Sequence, residues 1–440
     1  MAAEHAGHTI QPRLYAFDTS MVVLSLVVGI GIFRTPAIVA SAAAGTLLFF
    51  VAWAAGGLVS LLGALVFAEI GARHARAGGY YRVVAECYHP ALAFMLNWSQ
   101  TLMQGAGAAG VAFIGAEYLV PVLLPLQWRG AQAPLVLACV MMVTLLALNY
   151  RGIRFGASTQ NVLSILKLVM MVGLAICALW LAPRTPVPPA ASREPWMPRL
   201  ASALVPCFYA YGGYHMTMNL GADLRDATRR FPLAITGGML LVVGLYLLLN
   251  VAYQSVLGTG GIANSQLVAA ALSRATFGPL GALVVSAAVC LSAAGFVNAT
   301  ILQVPRTFYA MAEDGVLPQA FMRVNPHTQV QEAGLAFFGA TMLLPALLLG
   351  SFEKLLDYVI FTDTLTLAIV ASTLFALRRR EGRGAFAIWG YPLLPGCYII
   401  CLLCVAARVL ALQPALALAA VGIFLTGWPL FRLGRRLFAA

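Results

Sequence analysis

Long apolar segments alternate with short polar connections along nearly the whole chain. Each segment approaches the ~20 residues that an α-helix needs to cross the ~30 Å hydrocarbon core of a bilayer. No connection is long enough to form a soluble domain, so we expect an all-α polytopic membrane protein. The twelve predicted spans cover residues 18–40, 44–71, 91–123, 133–150, 158–182, 200–221, 232–257, 279–312, 331–350, 354–378, 389–411 and 414–432.

Glycines interrupt two of these spans. The first span contains "VVGIGIFRTP" (residues 27–36), and the sixth contains "YGGYH" (residues 211–215). The two spans begin two comparable halves of five spans each, and such a pair is typical of inverted-repeat transporters, which bind their substrate near the middle of the membrane. The alternative is that the glycines only let neighbouring helices pack closely.

The predicted spans divide the chain into five parts. We expect two five-helix repeats separated by a proline-rich extracytoplasmic loop, with a cytoplasmic segment before them and two further spans and a cytoplasmic C-terminus after them. The predicted boundaries are 1–17, 18–182, 183–199, 200–378 and 379–440.

Composition and charge support a membrane protein and orient it. Of all residues 61% are hydrophobic and only 10% are charged, whereas a soluble domain needs more charge on its surface. The net charge of +12 does not indicate a nucleic-acid partner, because the arginines concentrate at helix ends on one side. The positive-inside rule then predicts that both termini are cytoplasmic, in the plasma membrane and specifically a prokaryotic inner membrane.

A broken helix inside a membrane leaves backbone groups that need partners. Amides at the start of the resumed helix lie at the positive end of its dipole and suit a carboxylate, whereas the carbonyls before the break suit an ammonium group. A zwitterionic amino acid presents both groups. The residues concerned are Val27, Val28, Ile30, Gly31 and Ile32 in the first span and Phe208, Tyr209 and Ala210 in the sixth.

Several strings resemble one transporter family. "GIGIF" is similar to the "GSGIF" signature of the amino acid–polyamine–organocation transporters, in particular their L-type amino acid transporter branch. "FYAYGGYHMTMNLGADLRDATRRFPLAI" resembles the sixth span of that branch with its following loop. "FAEIGARHARAGGYYRVV", "GFVNATILQVPRTFYAMAEDGVLP" and "FEKLLDYVIFTDTLTLAIVASTLFALRRR" resemble its second, eighth and tenth spans. The resemblance covers most of residues 18–380.

The resemblance implies a LeuT-type fold, with two inverted repeats of five helices, discontinuous spans one and six, and two added helices. It also implies transport of L-amino acids by alternating access. The family has an aromatic gate residue in the sixth span, above the substrate, and the resemblance implies that Tyr209 has this role. The substrate-binding residues carried over are Val28, Gly29, Ile30, Gly31, Ile32, Phe208, Tyr209, Ala210, Tyr211 and Gly212.

Lys167 lies deep in the fifth span, within "NVLSILKLVMMVG". A lysine at this depth costs a few kcal/mol, so we expect it to face the protein interior and to have partners. Snorkelling to the interface is the alternative. The resemblance implies that its ammonium takes the place of the cation bound by sodium-coupled relatives, with Ser292 supplying a hydroxyl, and that transport is therefore sodium-independent.

Other ionisable residues allow more than one interpretation. His215 is either a packing residue or a pH-sensitive gate. Glu117 either reaches the lipid headgroups or serves as a proton-coupling carboxylate, and the nearby span end favours the first. We interpret Glu69 and Asp363 as structural residues near helix ends.

The chain departs from the family at the first break. Ile30 stands where the family has serine, so a side-chain contact to a carboxylate is lost and a β-branched residue stiffens the turn. Tyr214 and His215 also replace more typical residues. No acidic residue lies inside either break, which argues against substrates with cationic side chains.

The leading hypothesis is therefore a sodium-independent exchanger or facilitator of neutral L-amino acids. The alternatives are a proton-coupled symporter of amino acids or amines and a transport-inactive amino acid receptor. The sequence lacks the HExxH, GxSxG and paired-aspartate patterns of enzymes, and we expect no catalytic residue, metal or cofactor. The connection "LPLQWRGAQAP" between spans three and four has no cysteine, so we expect no heavy chain disulfide-linked through it.

Overall fold

The fold is taken from a computed structural model of the chain. It describes residues 10–184, 187–189, 194–265, 267–349, 353–412 and 414–438. Residues 1–9 of the predicted N-terminal segment and residues 185, 186 and 190–193 of the predicted proline-rich loop lie outside this part.

The described residues form α-helices joined by short connections, with no β-strand beyond a single bridge between Leu14 and Leu224. The helices are α1 (Ala16–Val27), α2 (Gly31–Ala43), α3 (Thr46–Arg73), α4 (Gly79–Cys87), α5 (Pro90–Leu123), α6 (Ala133–Tyr150), α7 (Ile153–Leu181), α8 (Trp196–Ala210), α9 (Ala227–Ala263), α10 (Val268–Phe277), α11 (Gly281–Gln303), α12 (Pro305–Glu313), α13 (Glu332–Leu349), α14 (Glu353–Glu381), α15 (Leu393–Leu412) and α16 (Pro414–Phe438).

The predicted fold class, an all-α polytopic membrane protein, is confirmed. Within the described part of the chain, nine helices are long and apolar enough to cross a bilayer, and the bent pair α1 and α2 makes ten. The predicted sixth and ninth spans fall on the shorter helices α8 and α13. The count of twelve spans and the inverted repeat stay predictions.

The broken pair α1 and α2 lies at the centre of the helix packing. Helix α1 contacts α7, α9 and α11, while α2 packs against α8 and α9. The 47° bend between α1 and α2 turns the break towards these neighbours. A broken segment near the start of the chain and a second one near its middle are therefore held side by side.

Gly213 shows why the second break also needs glycine. Its φ of +105° lies in the left-handed region, and a Cβ there would come within 2.6 Å of the Leu26 carbonyl oxygen. An L-amino acid with a side chain would be strained in both respects. The close approach of α1 to the second break thus depends on a missing side chain.

Buried ion pairs brace the helix ends that the positive-inside rule assigns to the cytoplasm. The fully buried Glu69 carboxylate accepts hydrogen bonds from Arg73 and Arg378 and from the Ile388 amide. Asp223, just after the second break, accepts from Arg306 Nε at 3.1 Å. The hydrogen bonds of Glu69 agree with the interpretation of this residue as structural.

Candidate substrate site

The first helix break lies between Val27, where α1 ends, and Gly31, where α2 begins. Val28 has φ −79° and ψ 75°, which are not helical angles. Gly29 donates its amide hydrogen to the Val27 carbonyl over a three-residue turn at 2.9 Å. The regular i to i−4 hydrogen-bond pattern is interrupted here, so local carbonyls turn towards other partners.

Lys167 supplies one of these partners from helix α7. Its Nζ donates a hydrogen bond to the Val28 carbonyl oxygen at 2.6 Å, and the side chain is 1% exposed. Gly295 on α11 leaves room for the ammonium group, since a Cβ there would lie 3.2 Å from Nζ. The lysine therefore faces the protein interior and has a partner, as expected for a charge at this depth.

Ser292 approaches the same carbonyl from α11. Its hydroxyl lies 3.0 Å from the Val28 oxygen and 2.9 Å from the Gly29 oxygen, and it can donate to either one at a time. Three separate helices thus meet at two carbonyls of the first break. The structure brings Lys167 and Ser292 to the same point, and their role in place of a cation stays a prediction.

The carbonyls before the break already have partners from the protein itself. Val27 accepts from the Tyr246 hydroxyl at 3.1 Å, and Val28 accepts from Lys167. Tyr246 packs against Tyr211 and Trp53, with ring centroids 5.0 Å and 5.8 Å away. Sequence reasoning missed Tyr246, because one tyrosine among many in an apolar span carries no local signal. The predicted contact of these carbonyls with a ligand ammonium stays a prediction.

The amides after the break lie at the start of α2. Gly31 and Ile32 begin α2, and the first amides of an α-helix have no partner within the helix. Ile30, which precedes them, makes no side-chain capping hydrogen bond. Ile30 and Gly31 are half-buried and Ile32 is buried. The predicted contact of these amides with a ligand carboxylate stays a prediction.

The second break follows Ala210, the last residue of α8. Tyr211 has φ −93° and ψ 1°, and after Gly212 and Gly213 the chain continues as a 3₁₀-helix from Tyr214 to Asp223. The two breaks approach each other closely, since a Cβ on Gly31 would lie 3.7 Å from the Ala210 Cα.

Two aromatic residues precede the second break. Phe208 is 8% exposed, and the half-buried Tyr209 places its hydroxyl 3.4 Å from Thr364 Oγ1 on α14. The predicted gate residue therefore lies between the sixth and tenth spans.

The buried His215 pairs with the half-buried Asp363, which lies inside α14 and not at its end. The interpretation of this aspartate as a structural residue stays a prediction. His215 Nε2 lies 3.3 Å from Asp363 Oδ1, and Gln100 Nε2 donates to the same oxygen at 3.1 Å. His215 is 2% exposed, and its Nδ1 has no hydrogen-bond partner among the residues that the structure describes. An ionisable residue within a span, such as His215, indicates that a polar partner is near. The sequence did not identify Asp363 as that partner, because the two residues are far apart in the chain.

Glu117 differs from His215 in its exposure. It is exposed near the end of α5, which ends at Leu123. This placement favours contact with the headgroup region over a buried proton-coupling site. Its proton-coupling role stays an untested alternative.

A family model described as "Amino acid permease" matches residues 14–428. The chain belongs to the amino acid permease family. The resemblance to the amino acid–polyamine–organocation transporters is thereby confirmed, and this permease is a membrane transporter and not an enzyme.

Curated relatives match the permease over most of their length. The serine/threonine exchanger SteT of Bacillus subtilis is 25% identical over 377 residues, which cover 85% of each chain. The human Asc-type amino acid transporter 1 is 26% identical over 94% of the permease and 80% of the relative. The human large neutral amino acids transporter small subunit 2 is 25% identical over 97% and 81%.

Proposed function

We propose that the permease carries neutral L-amino acids without sodium, as an exchanger or facilitator that works by alternating access. The observation that carries this proposal is the meeting of the Lys167 ammonium and the Ser292 hydroxyl at the Val28 carbonyl. A fixed ammonium in this position supplies the positive charge that a bound sodium ion would otherwise provide. Relatives named as a serine/threonine exchanger and a large neutral amino acids transporter agree with the substrate class.

The two breaks divide the recognition of an amino acid between them. The free amides at the start of α2 would bind the carboxylate, while unpaired carbonyl lone pairs near both breaks would bind the ammonium group. Tyr209 would close over the bound molecule, because its contact with Thr364 links the sixth and tenth spans. In the absence of a serine hydroxyl at Ile30, backbone amides alone would hold the carboxylate.

A neutral substrate side chain fits the charges near the second break. Asp363 is the carboxylate that lies against it, and this carboxylate already faces His215 and Gln100. A cationic side chain would have to compete with both of them. Small or apolar side chains avoid that competition.

Counterflow in proteoliposomes tests the proposal. Vesicles containing the purified permease are loaded with one unlabelled amino acid, and labelled amino acids are offered outside in a sodium-free buffer. We expect accumulation of at least one neutral L-amino acid, and less or none of lysine or arginine. Absence of counterflow for every amino acid, with or without sodium or a pH gradient, would reject the transport function.

Proton-coupled symport is the second candidate, and the His215 and Asp363 pair is the observation in its favour. Histidine changes charge in the physiological pH range, and this pair adjoins the second break. The groups that face the imidazole are Asp363 on α14, Tyr80 on α4 and its neighbour Tyr214, with Phe67 of α3 against the ring. Protonation would therefore change the charge balance beside the gate.

Replacing Asp363 with asparagine separates the two candidates. The change keeps a hydrogen-bonding side chain but removes the carboxylate charge that faces His215. If protons are coupled, we expect uptake driven by an inward pH gradient to fall to the level seen without a gradient, while counterflow persists. If the permease is a facilitator or an exchanger, a pH gradient does not drive uptake even in the wild type, so the variant has no such uptake to lose. Gradient-driven uptake that survives in Asp363→Asn would exclude this pair as the coupling site.

The arrangement in the membrane also belongs to this proposal. Twelve spans in a LeuT-type 5+5 arrangement, with both termini in the cytoplasm of a prokaryotic cell, agree with the broken spans and the arginine distribution. The connection before α6 has no cysteine between residues 124 and 134, so we propose that no heavy chain is disulfide-linked there. Labelling of single cysteines placed at each connection, from outside intact cells, would test the orientation.

A further inference from the structure

A basic cavity lies apart from the two helix breaks, where α14 ends and leads into α15. Its volume is about 430 Å³. Among the described residues, no acidic residue and no residue of either break lines it. The lining residues are Arg378, Arg379, Gly382, Arg383, Ile388, Gly390 and Tyr391.

One of the three lining arginines is already neutralised. Arg378 donates to both oxygens of Glu69, at 2.8 Å and 2.6 Å, and its guanidinium lies 4.1 Å from the centre of the Tyr391 ring. Arg73 donates to Glu69 as well, at 2.8 Å. Arg73 also pairs with Glu381 at 3.4 Å, so the charges behind the cavity are balanced and a ligand can be attracted only by the other two arginines.

The other two arginines have no such partner. Arg379 and Arg383 are exposed, and no hydrogen bond or ion pair of their side chains occurs within the described part of the chain. Planar guanidinium groups bind phosphate oxygens in a bidentate manner. The cavity therefore offers the chemistry of a phosphate site, with these two arginines at its rim.

The surroundings of the cavity favour a lipid as the source of the phosphate. Trp389 is 73% exposed and Leu393 is 74% exposed beside it, and an exposed tryptophan is typical of the headgroup level of a membrane. From Leu393 an exposed face continues along α15 through Cys397, Cys401 and Cys404. An acyl chain can lie along this face while its headgroup reaches the cavity.

We propose that this cavity binds the phosphate headgroup of an anionic phospholipid, with the acyl chains along the exposed face of α15. The positive-inside rule assigns this end of α14 to the cytoplasmic leaflet, which carries anionic lipid. The negative charge of the bound headgroup would neutralise Arg379 and Arg383. It would also attach the Glu69 and Arg378 pair, and so the ends of α3 and α14, to the membrane surface.

Thermal unfolding of the purified permease in mild detergent tests this proposal. We expect added phosphatidylglycerol to raise the unfolding midpoint more than phosphatidylcholine does, and the lipid concentration for half the effect to rise roughly tenfold or more in Arg379→Gln/Arg383→Gln. The matched control is Arg229→Gln/Arg230→Gln, which removes two exposed arginines on the same predicted side and is expected to behave as wild type. Equal weakening in both double variants would overturn the proposal, since it would show only a general charge effect.

A second arm distinguishes the lipid from a soluble phosphate. Glycerol phosphate, offered at the same concentrations, is expected to give little stabilisation, because it lacks acyl chains. If it protects the wild type as well as the lipid does, the cavity takes soluble anions and the lipid proposal is wrong.

A third measurement uses the wild-type fold and so does not depend on the arginine variants. The fluorescence of Trp389 is obtained as the difference between wild type and Trp389→Phe in vesicles that contain brominated lipids. We expect brominated phosphatidylglycerol to quench this component more strongly than brominated phosphatidylcholine at the same mole fraction. Equal quenching would contradict a preference for the anionic headgroup at this cavity.

Discussion

Replacing Lys167 with alanine is expected to lower amino acid uptake by about tenfold to a hundredfold while the protein still folds. A hydrogen bond from a charged donor contributes roughly 1.5–3 kcal/mol, and every 1.4 kcal/mol corresponds to about a factor of ten. The change removes the ammonium that holds the Val28 carbonyl. Because Ser292 still donates to the break and a buried charge is lost with the lysine, we expect much of the folding free energy to be retained.

Initial rates of uptake into proteoliposomes measure this effect, with the amount of reconstituted protein determined for each variant. Val169→Ala is the matched control, since this residue lies on the same helix and is 62% exposed. We expect the control to transport at the wild-type rate. A folded Lys167→Ala variant with unchanged uptake would show that the lysine is not part of the transport site.

Replacing Gly213 with alanine is expected to have the largest effect on stability, of about 2–4 kcal/mol. Its φ of +105° is unfavourable for alanine, and the new Cβ would lie 2.6 Å from the Leu26 carbonyl oxygen. The first and second breaks would have to move apart to accommodate it. We therefore expect a lower thermal unfolding midpoint in detergent, together with loss of transport.

Gly244→Ala on α9 provides the comparison for this variant. Within the described part of the chain, a Cβ at Gly244 would meet no atom within 4 Å apart from its chain neighbours and the backbone of its own helix. Alanine is favoured over glycine within a helix. We expect its midpoint to equal or exceed that of the wild type. A Gly213→Ala protein as stable and active as the Gly244→Ala protein would contradict the close approach of the two breaks.

The hydropathy of the sequence predicts the first and last residues of two long helices to within a few positions. The predicted spans 91–123 and 44–71 correspond to α5 (Pro90–Leu123) and α3 (Thr46–Arg73), because the thickness of the bilayer sets one length for every crossing. The short helices α4 and α10 were not predicted. They lie in connections, where no such constraint acts and where the nine or ten residues of each give only a short periodic pattern.

The breaks were visible in the sequence because glycine pairs within apolar spans are local signals. Lys167 and Ser292 were linked to the first break by resemblance to a family, and the structure places both at Val28. Periodicity alone could not have paired them, since it does not fix how two helices are rotated towards each other. The same reason explains why the partnership of His215 with Asp363 was missed.

If Lys167 supplies the positive charge at the first break, transport needs no sodium. The most direct test compares the initial rates at which the wild-type permease takes up its best amino acid with sodium present and with sodium replaced by choline, at constant pH and ionic strength. We expect equal rates in the two media. A rate that depends on sodium, with saturation as sodium is added, would contradict this role of Lys167.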